Sequence, residues 1–509
     1  MIRPQLTLSP ARNSGVVIAA LAGFCLIYFS NPGIGISPDS VTYTSVARNL
    51  VDSGRPLEFD GEWLTDFPIG YPAFLGSIFF ITRSDPFHFG LFLNSCLFGL
   101  LLYICLRAVK KNGFPIWLQG AYGLCLLSGT ALLQVFGMLW SETLFILCIA
   151  FFFLSSGYYG RNHRLGPLFA MALATAIACV TRYAGVAVLA TGLFLLIADR
   201  QLSRRKKALH ALIYAGSAVA PLLINVLINR IHEGYLTGDR LVNQTPFTEH
   251  LQRFGTTLLR WIIPSFRGTG EGQGLLAAAC TLGFIGAAAG AAISLWRRNK
   301  SLYAWAGLGA VFTAIYSVFL LGVAATTAFQ PLDSRLLCPL WFPGLSAAAG
   351  GVLALSNRLR DKKKWTAFAL WSTGLVVVFA LSFPGIAAQT RLLAHPDQVY
   401  EDHIRYDFRA FDQSPTLHFV RNHPSLFKSD KPVYSNAGEV LYVLDSLQAG
   451  YPPRLIAGEE MNDFQSDSAY LIWLNNIHVY PEEYLIKLKS MTGLTMLETF
   501  PDGIIYSTK

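Results

Sequence analysis

WSETLFILCIAFFFLSSGYYGRNHR, residues 140–164, reads as a membrane crossing with both of its ends marked. No charged residue stands between Glu142 and Arg161. At 1.5 Å per helical residue, such a run covers a hydrocarbon core of roughly 30 Å. An acid stands at one end and the basic RNHR, 161–164, at the other. Placing the basic end in the cytoplasm puts Glu142 at the outer face.

The same pattern recurs along the chain. Of its 509 residues 53% are hydrophobic and only 14% charged, against roughly 25% charged in soluble domains. Hydropathy predicts spans at 14–30, 86–107, 115–134, 142–159, 166–181, 183–198, 208–228, 274–296, 301–322, 335–356 and 365–384. Lys- and Arg-rich connections (KK at 110–111, RNHR at 161–164, RQLSRRKK at 200–207, RRNK at 297–300, RLRDKKK at 358–364) alternate with connections poor in lysine. The expected protein is therefore an α-helical polytopic membrane protein of about eleven transmembrane helices, with its N-terminus inside and its C-terminus outside. Val16–Phe29 precedes Asn31–Pro32 without a small-residue cleavage pattern and is expected to remain as the first span. The net charge of +9 resides mostly in short loops and calls for no nucleic acid. The eight cysteines fall in or beside apolar runs without CxxC or metal spacing, as buried packing residues do.

Three regions then lie outside the cytoplasm: loops 31–85 and 229–273, and a polar tail, 385–509. In the tail, the runs KPVYS, AYLIWL and GIIYS alternate with turn signals, as in a small α/β or α+β domain. The predicted division is a membrane domain, 1–384, and an extracytoplasmic domain, 385–509.

The first loop opens with ISPDSVTYTSVARNLVDSG, 36–54. Ser37-Pro38-Asp39 has the composition of a helix start, with proline in the first turn and an acid at the positive end of the dipole. Tyr43, Val46, Ala47, Leu50 and Val51 share a stripe that includes Asp39, so an amphipathic helix along the outer interface is expected. Further polar residues stand at the same level: Glu142, Arg182, Asp333 and Arg335, with Arg240 and Arg267 in the second loop. Helix capping at Asp39 and Glu142, snorkelling of Arg182 and a local Asp333–Arg335 pair account for each alone. Together they place carboxylates and guanidiniums on one face and none at mid-bilayer. That suits transfer of a sugar from a lipid phosphate: a carboxylate activates an acceptor hydroxyl and arginines hold the departing phosphate.

Four stretches carry a family resemblance: PDSVTYTSVARNLVDSG with DFPIGYPAFL, WSETLFILCIAFFFL, TRYAG, and DSRLLCPLWFP. In order and position they resemble the GT-C glycosyltransferases, in the branch of protein O-mannosyltransferases, lipid A aminoarabinose transferases and Rgt-type enzymes. KPVYSNAGEVLYVLDS resembles the external domain of many such enzymes. The resemblance implies an inverting glycosyltransferase, with a polyprenyl-phosphate sugar donor and a lipid, glycan or protein acceptor. It would be a multi-pass protein of the plasma (inner) membrane, with its active site extracytoplasmic. Asp39 matches the catalytic acid and is expected to act as general base. Arg182, Arg335, Arg240 and Arg267 are expected at the donor phosphate, Glu142 and Asp333 as supporting acids, and Tyr43 and Tyr71 along the substrate cleft. Relatives commonly follow the first-loop acid with Glu, where this chain has Ser40; a divalent metal is left open. The rival readings are a multi-span transporter, a non-catalytic membrane scaffold, and a lipid-linked glycan polymerase or ligase. A transporter would predict mid-bilayer charge and related halves, which the sequence lacks.

Overall fold

The computed structural model describes residues 14–359, apart from 239, 241, 299–300 and 329–330, together with 380, 382–387 and most of 411–508. Helices occupy ten of the eleven expected spans. The eleventh, 365–384, lies almost wholly outside the described residues, as does the DKKK run at 361–364. Among the described residues six helices are long and apolar enough to cross a bilayer: Pro86–Lys111, Glu142–Asn162, Arg204–Glu233, Glu271–Arg297, Trp305–Thr326 and Ser334–Asn357. A seventh results if the pair Ile116–Leu127 and Thr130–Phe136, bent by 49°, is one broken span. The break falls at Ser128–Gly129, where a Cβ on Gly129 would stand 2.6 Å from the Trp341 ring. Ser14–Ser30, Leu165–Thr181 and Tyr183–Ala198 are apolar but shorter. Pro86–Lys111, Glu142–Asn162 and Trp305–Thr326 are each 61% buried along their apolar windows, whereas Arg204–Glu233 is 17% and Glu271–Arg297 22% buried. The first three are central and the last two present apolar faces outward, as lipid-facing helices do.

The chain divides into two compact units. The first comprises Met1–Ile34, Thr65–Tyr71 and Phe87–Gln398. Its core is aromatic: Phe153 meets Trp305, Phe312 and Phe342 edge-on at centroid distances of 5.3, 6.0 and 5.4 Å. Lipid gives little hydrophobic drive for helix association, so close van der Waals contact through small residues carries it. Gly255 illustrates this, since a Cβ there would sit 1.8 Å from the Ala277 carbonyl oxygen.

The second unit comprises Gly35–Leu64, Pro72–Pro86 and Val399–Lys509. Its sheet has the order β1-β2-β4-β3, with β1 (Val433–Ser435), β2 (Tyr470–Leu474), β3 (Thr495–Phe500) and β4 (Gly503–Ser507). β1 and β2 run parallel; the other pairs are antiparallel. All of β2 is buried: Ile472 and Leu474 pack with Leu417, Val440 and Ile505, and Leu471 and Trp473 with Phe464, Tyr484 and Tyr506. Strands occupy the three predicted runs, and β3 is an addition.

The first-loop helix is Pro38–Asp52. It differs from the expected interfacial helix: the eight residues from Ser40 to Ala47 are all buried, rather than one stripe of them. Its side is fastened within this unit. Arg48 pairs with Asp85 at 2.7 Å and donates to the Tyr442 hydroxyl at 3.3 Å. Phe59 packs on Tyr442 and Tyr451, and the Gln448 amide donates to the Asp60 carbonyl at 2.5 Å.

Candidate active site

In the first unit, three chain segments far apart in sequence bring their charges to one point. Glu142 is the first residue of the Glu142–Asn162 helix and is fully buried. Burying a carboxylate is costly unless opposite charge and donors meet it, and here two guanidiniums do. Arg335 Nε donates to Glu142 Oε1 at 2.5 Å and its Nη2 to Oε2 at 3.4 Å. Arg182 Nη1 reaches Oε1 at 2.6 Å and the Ser141 hydroxyl at 2.8 Å. The Arg335 guanidinium lies 4.3 Å from the centre of the Trp140 ring, a cation–π shelf that fixes its plane.

Local backbone places each group. Arg182 ends the Leu165–Thr181 helix in an extended conformation, its N–H bonded to the Ala178 carbonyl. Arg335 lies in the turn Ser334–Leu337, capped by Asp333, whose carboxylate accepts from the Leu336 N–H at 3.0 Å. Asp333 therefore serves as a cap, and Arg335 pairs with Glu142 rather than with Asp333. Burial pushes the Asp333 carboxyl above its ordinary range, opposed by that N–H and the Arg335 charge. Trp261 donates from its indole to the Ser334 hydroxyl at 2.7 Å, and the Tyr316 hydroxyl donates to the Leu336 carbonyl at 3.2 Å, holding the turn from two sides.

The segment Thr65–Tyr71 is fixed beside this region. Tyr183 donates to the Thr65 carbonyl at 2.9 Å, Ile69 N–H to Asn225 Oδ1 at 3.0 Å, and Arg240 Nη2 to the Asp66 carbonyl at 2.8 Å. Gly70 passes so close to the Val180 carbonyl oxygen that a Cβ would stand 2.4 Å from it. Tyr71, the next residue, is fully buried. Arg240 and Arg267 are exposed, and Arg240 is committed to the Asp66 and Thr237 carbonyls.

Asp39 and Tyr43 belong to the second unit. Asp39 is half-buried in the first turn of its helix and Tyr43 is buried. Ser40 turns its hydroxyl back to accept from the Ser37 N–H at 3.0 Å, closing a capping box. Among the described residues no group of three or more His, Cys, Asp or Glu is placed to hold a metal ion. Asn225 and Trp261, which position the Thr65–Tyr71 segment and the Arg335 turn, were not singled out in the sequence.

One buried carboxylate sits between two arginines, and Asp333 stands close enough to feel the Arg335 charge. Arg335 and Arg182 keep side-chain exposures of 6% and 16%. Guanidiniums at the edge of such a cluster suit an anion, a phosphate above all.

No protein-family model and no curated protein matches the chain by sequence. Solved structures do match in fold. ArnT from Cupriavidus metallidurans in the apo state aligns with a TM-score of 0.55 at 13% identity, covering 98% of both chains. The same protein bound to undecaprenyl phosphate gives 0.50 at 13% identity, again over 98% of both. The oligosaccharyltransferase AglB from Archaeoglobus fulgidus, solved with an inhibitory peptide and a dolichol-phosphate, gives 0.52 at 10% identity, over 97% of this chain and 74% of that one. At these identities the likeness is one of architecture: the chain shares the fold of these solved membrane proteins.

Proposed function

We propose that this protein is a membrane glycosyltransferase that moves a sugar from a polyprenyl-phosphate donor to an acceptor hydroxyl on the extracytoplasmic face, with inversion. The observation that carries the reading is the buried Glu142–Arg182–Arg335 cluster, two guanidiniums converging on one carboxylate. The fold adds support, because structures of this architecture have been solved with undecaprenyl phosphate and with a dolichol-phosphate. Residues 1–384 form the catalytic membrane domain and 385–509 the external domain in this reading.

Asp39 takes the proton of the acceptor hydroxyl as its oxygen attacks the anomeric carbon. The bond from that carbon to the phosphate oxygen breaks, and the phosphate leaves on its lipid with one more negative charge. Arg182 and Arg335 stabilise that charge where it develops. Glu142 holds both guanidiniums in place and keeps the empty site from carrying two unopposed cations. Asp333 sets the Arg335 turn. Arg240 fastens the Thr65–Tyr71 segment, Arg267 adds positive potential, and Tyr43 and Tyr71 shape the cleft.

The test incubates purified full chain with radiolabelled polyprenyl-phosphate sugars and envelope fractions, comparing wild type with Asp39→Asn. Loss of a general base should lower turnover by about 10²–10⁴. Equal transfer by both proteins removes Asp39 from the mechanism. Uptake of free sugar into proteoliposomes without transfer would replace the enzyme by a carrier.

A further inference from the structure

The end of the Glu142–Asn162 helix remote from Glu142 carries a second polar site. At 1.5 Å per residue its 21 residues separate the two ends by roughly 30 Å, one hydrocarbon thickness. There a cavity of about 300 Å³ opens between this helix, the Pro86–Lys111 helix and residues 301–305. That volume is at the lower edge of small-molecule sites, about 300–1,000 Å³. Phe153 and Trp305 form its apolar wall, while Lys111, Arg161, Tyr158 and Asn112 supply polar groups.

These groups are organised. Lys111 Nζ donates to the Tyr158 hydroxyl at 3.1 Å and lies 5.5 Å from the centre of its ring. The Arg161 guanidinium approaches the same ring at 5.6 Å. Asn112 accepts from the Trp305 N–H at 3.3 Å, tying the rim to the wall. Among the described residues neither Lys111 nor Arg161 is paired with a carboxylate. The bland account is that both cations merely offset helix C-termini. Each terminus carries only about half a negative charge, so two cations leave a surplus of roughly one positive charge.

We propose that this cavity binds the phosphate-bearing headgroup of an anionic phospholipid, in the leaflet opposite the Glu142 cluster. Position selects a lipid over a soluble anion. The cations stand at the depth where headgroups lie, with aromatic and aliphatic side chains on the hydrocarbon side. The inference is independent of the transfer reading and requires only that the chain sit in a membrane.

Native mass spectrometry of the detergent-purified full chain titrated with dioleoyl phosphatidylglycerol or dioleoyl phosphatidylcholine tests it. Lys111→Gln/Arg161→Gln should weaken phosphatidylglycerol retention by at least about tenfold and leave phosphatidylcholine unchanged. Both side chains are exposed, so the variant should elute and unfold like wild type. Arg297→Gln/Arg298→Gln removes equal charge elsewhere and should keep binding. Three results would overturn the site: unchanged retention in the first variant, an equal loss in the second, or displacement of the lipid by millimolar inorganic phosphate.

Discussion

Glu142→Gln tests whether the buried cluster is held by charge. The substitution keeps shape and leaves Oε1 as an acceptor for Arg335 and Arg182, which reach it at 2.5 and 2.6 Å. It removes the negative charge, and it turns a donor amide toward Arg335 Nη2, which now meets an oxygen at 3.4 Å. With an effective dielectric constant near 20 and charge centres about 4 Å apart, each ion pair is worth about 4 kcal/mol. Relief of the carboxylate's desolvation returns part of that, and removing one partner of a buried pair usually costs about 3–5 kcal/mol. The two arginines would be left facing each other at the same point. The assay is heat unfolding of the detergent-solubilised full chain, followed by tryptophan fluorescence, with and without polyprenyl phosphate. The midpoint should fall by about 5 °C or more. If the arginines hold the donor phosphate, the lipid should stabilise the variant more than wild type, because its phosphate supplies the missing negative charge. A midpoint within about 1 °C of wild type would refute the electrostatic account of the cluster. Equal stabilisation of both proteins by the lipid would refute a shared anion site.

Asn225→Leu deprives the Ile69 N–H of its acceptor; hydrogen exchange at residues 65–71 should quicken while the far helices keep their protection, and unchanged exchange would mean that Asn225 does not position the segment. Gly255→Ala drives a Cβ to 1.8 Å from the Ala277 carbonyl oxygen; overpacking of about 1–3 kcal/mol should lower the unfolding midpoint, and an unaltered midpoint would show that the two helices can separate freely. Arg48→Ala removes a partly exposed ion pair with Asp85 worth only about 0–1 kcal/mol, so global stability should hold while limited proteolysis within residues 35–64 speeds up.

Hydropathy located the helices because a charge inside an apolar run is costly, and each run here is bounded by charge. The same cost made Glu142, Arg182 and Arg335 legible as separate candidates. Their meeting was not legible: Glu142 and Arg335 are 193 residues apart, and no local spacing relates one helix start to another. Asp333 misleads for a related reason, since its nearest charge in sequence is Arg335 while its carboxylate caps Leu336. β3 escaped because five of its six residues are exposed, leaving no alternation to read.

The first-loop helix shows two separate surprises. Its expected amphipathic stripe presumed a wet face opposite Tyr43. Ser40, Thr42, Thr44 and Ser45 are nevertheless no more than 6% exposed, and two of these hydroxyls find partners in the helix and its cap. Ser45 bonds the Thr42 carbonyl at 2.9 Å and Ser40 the Ser37 N–H at 3.0 Å. An acid at position 40, as the resemblance would have it, would place a carboxylate at a point with no solvent access and would demand a cation or a metal to meet it. Serine removes that demand and supplies the cap. Asp39 is left as the carboxylate of this turn, half-buried at the positive end of the dipole.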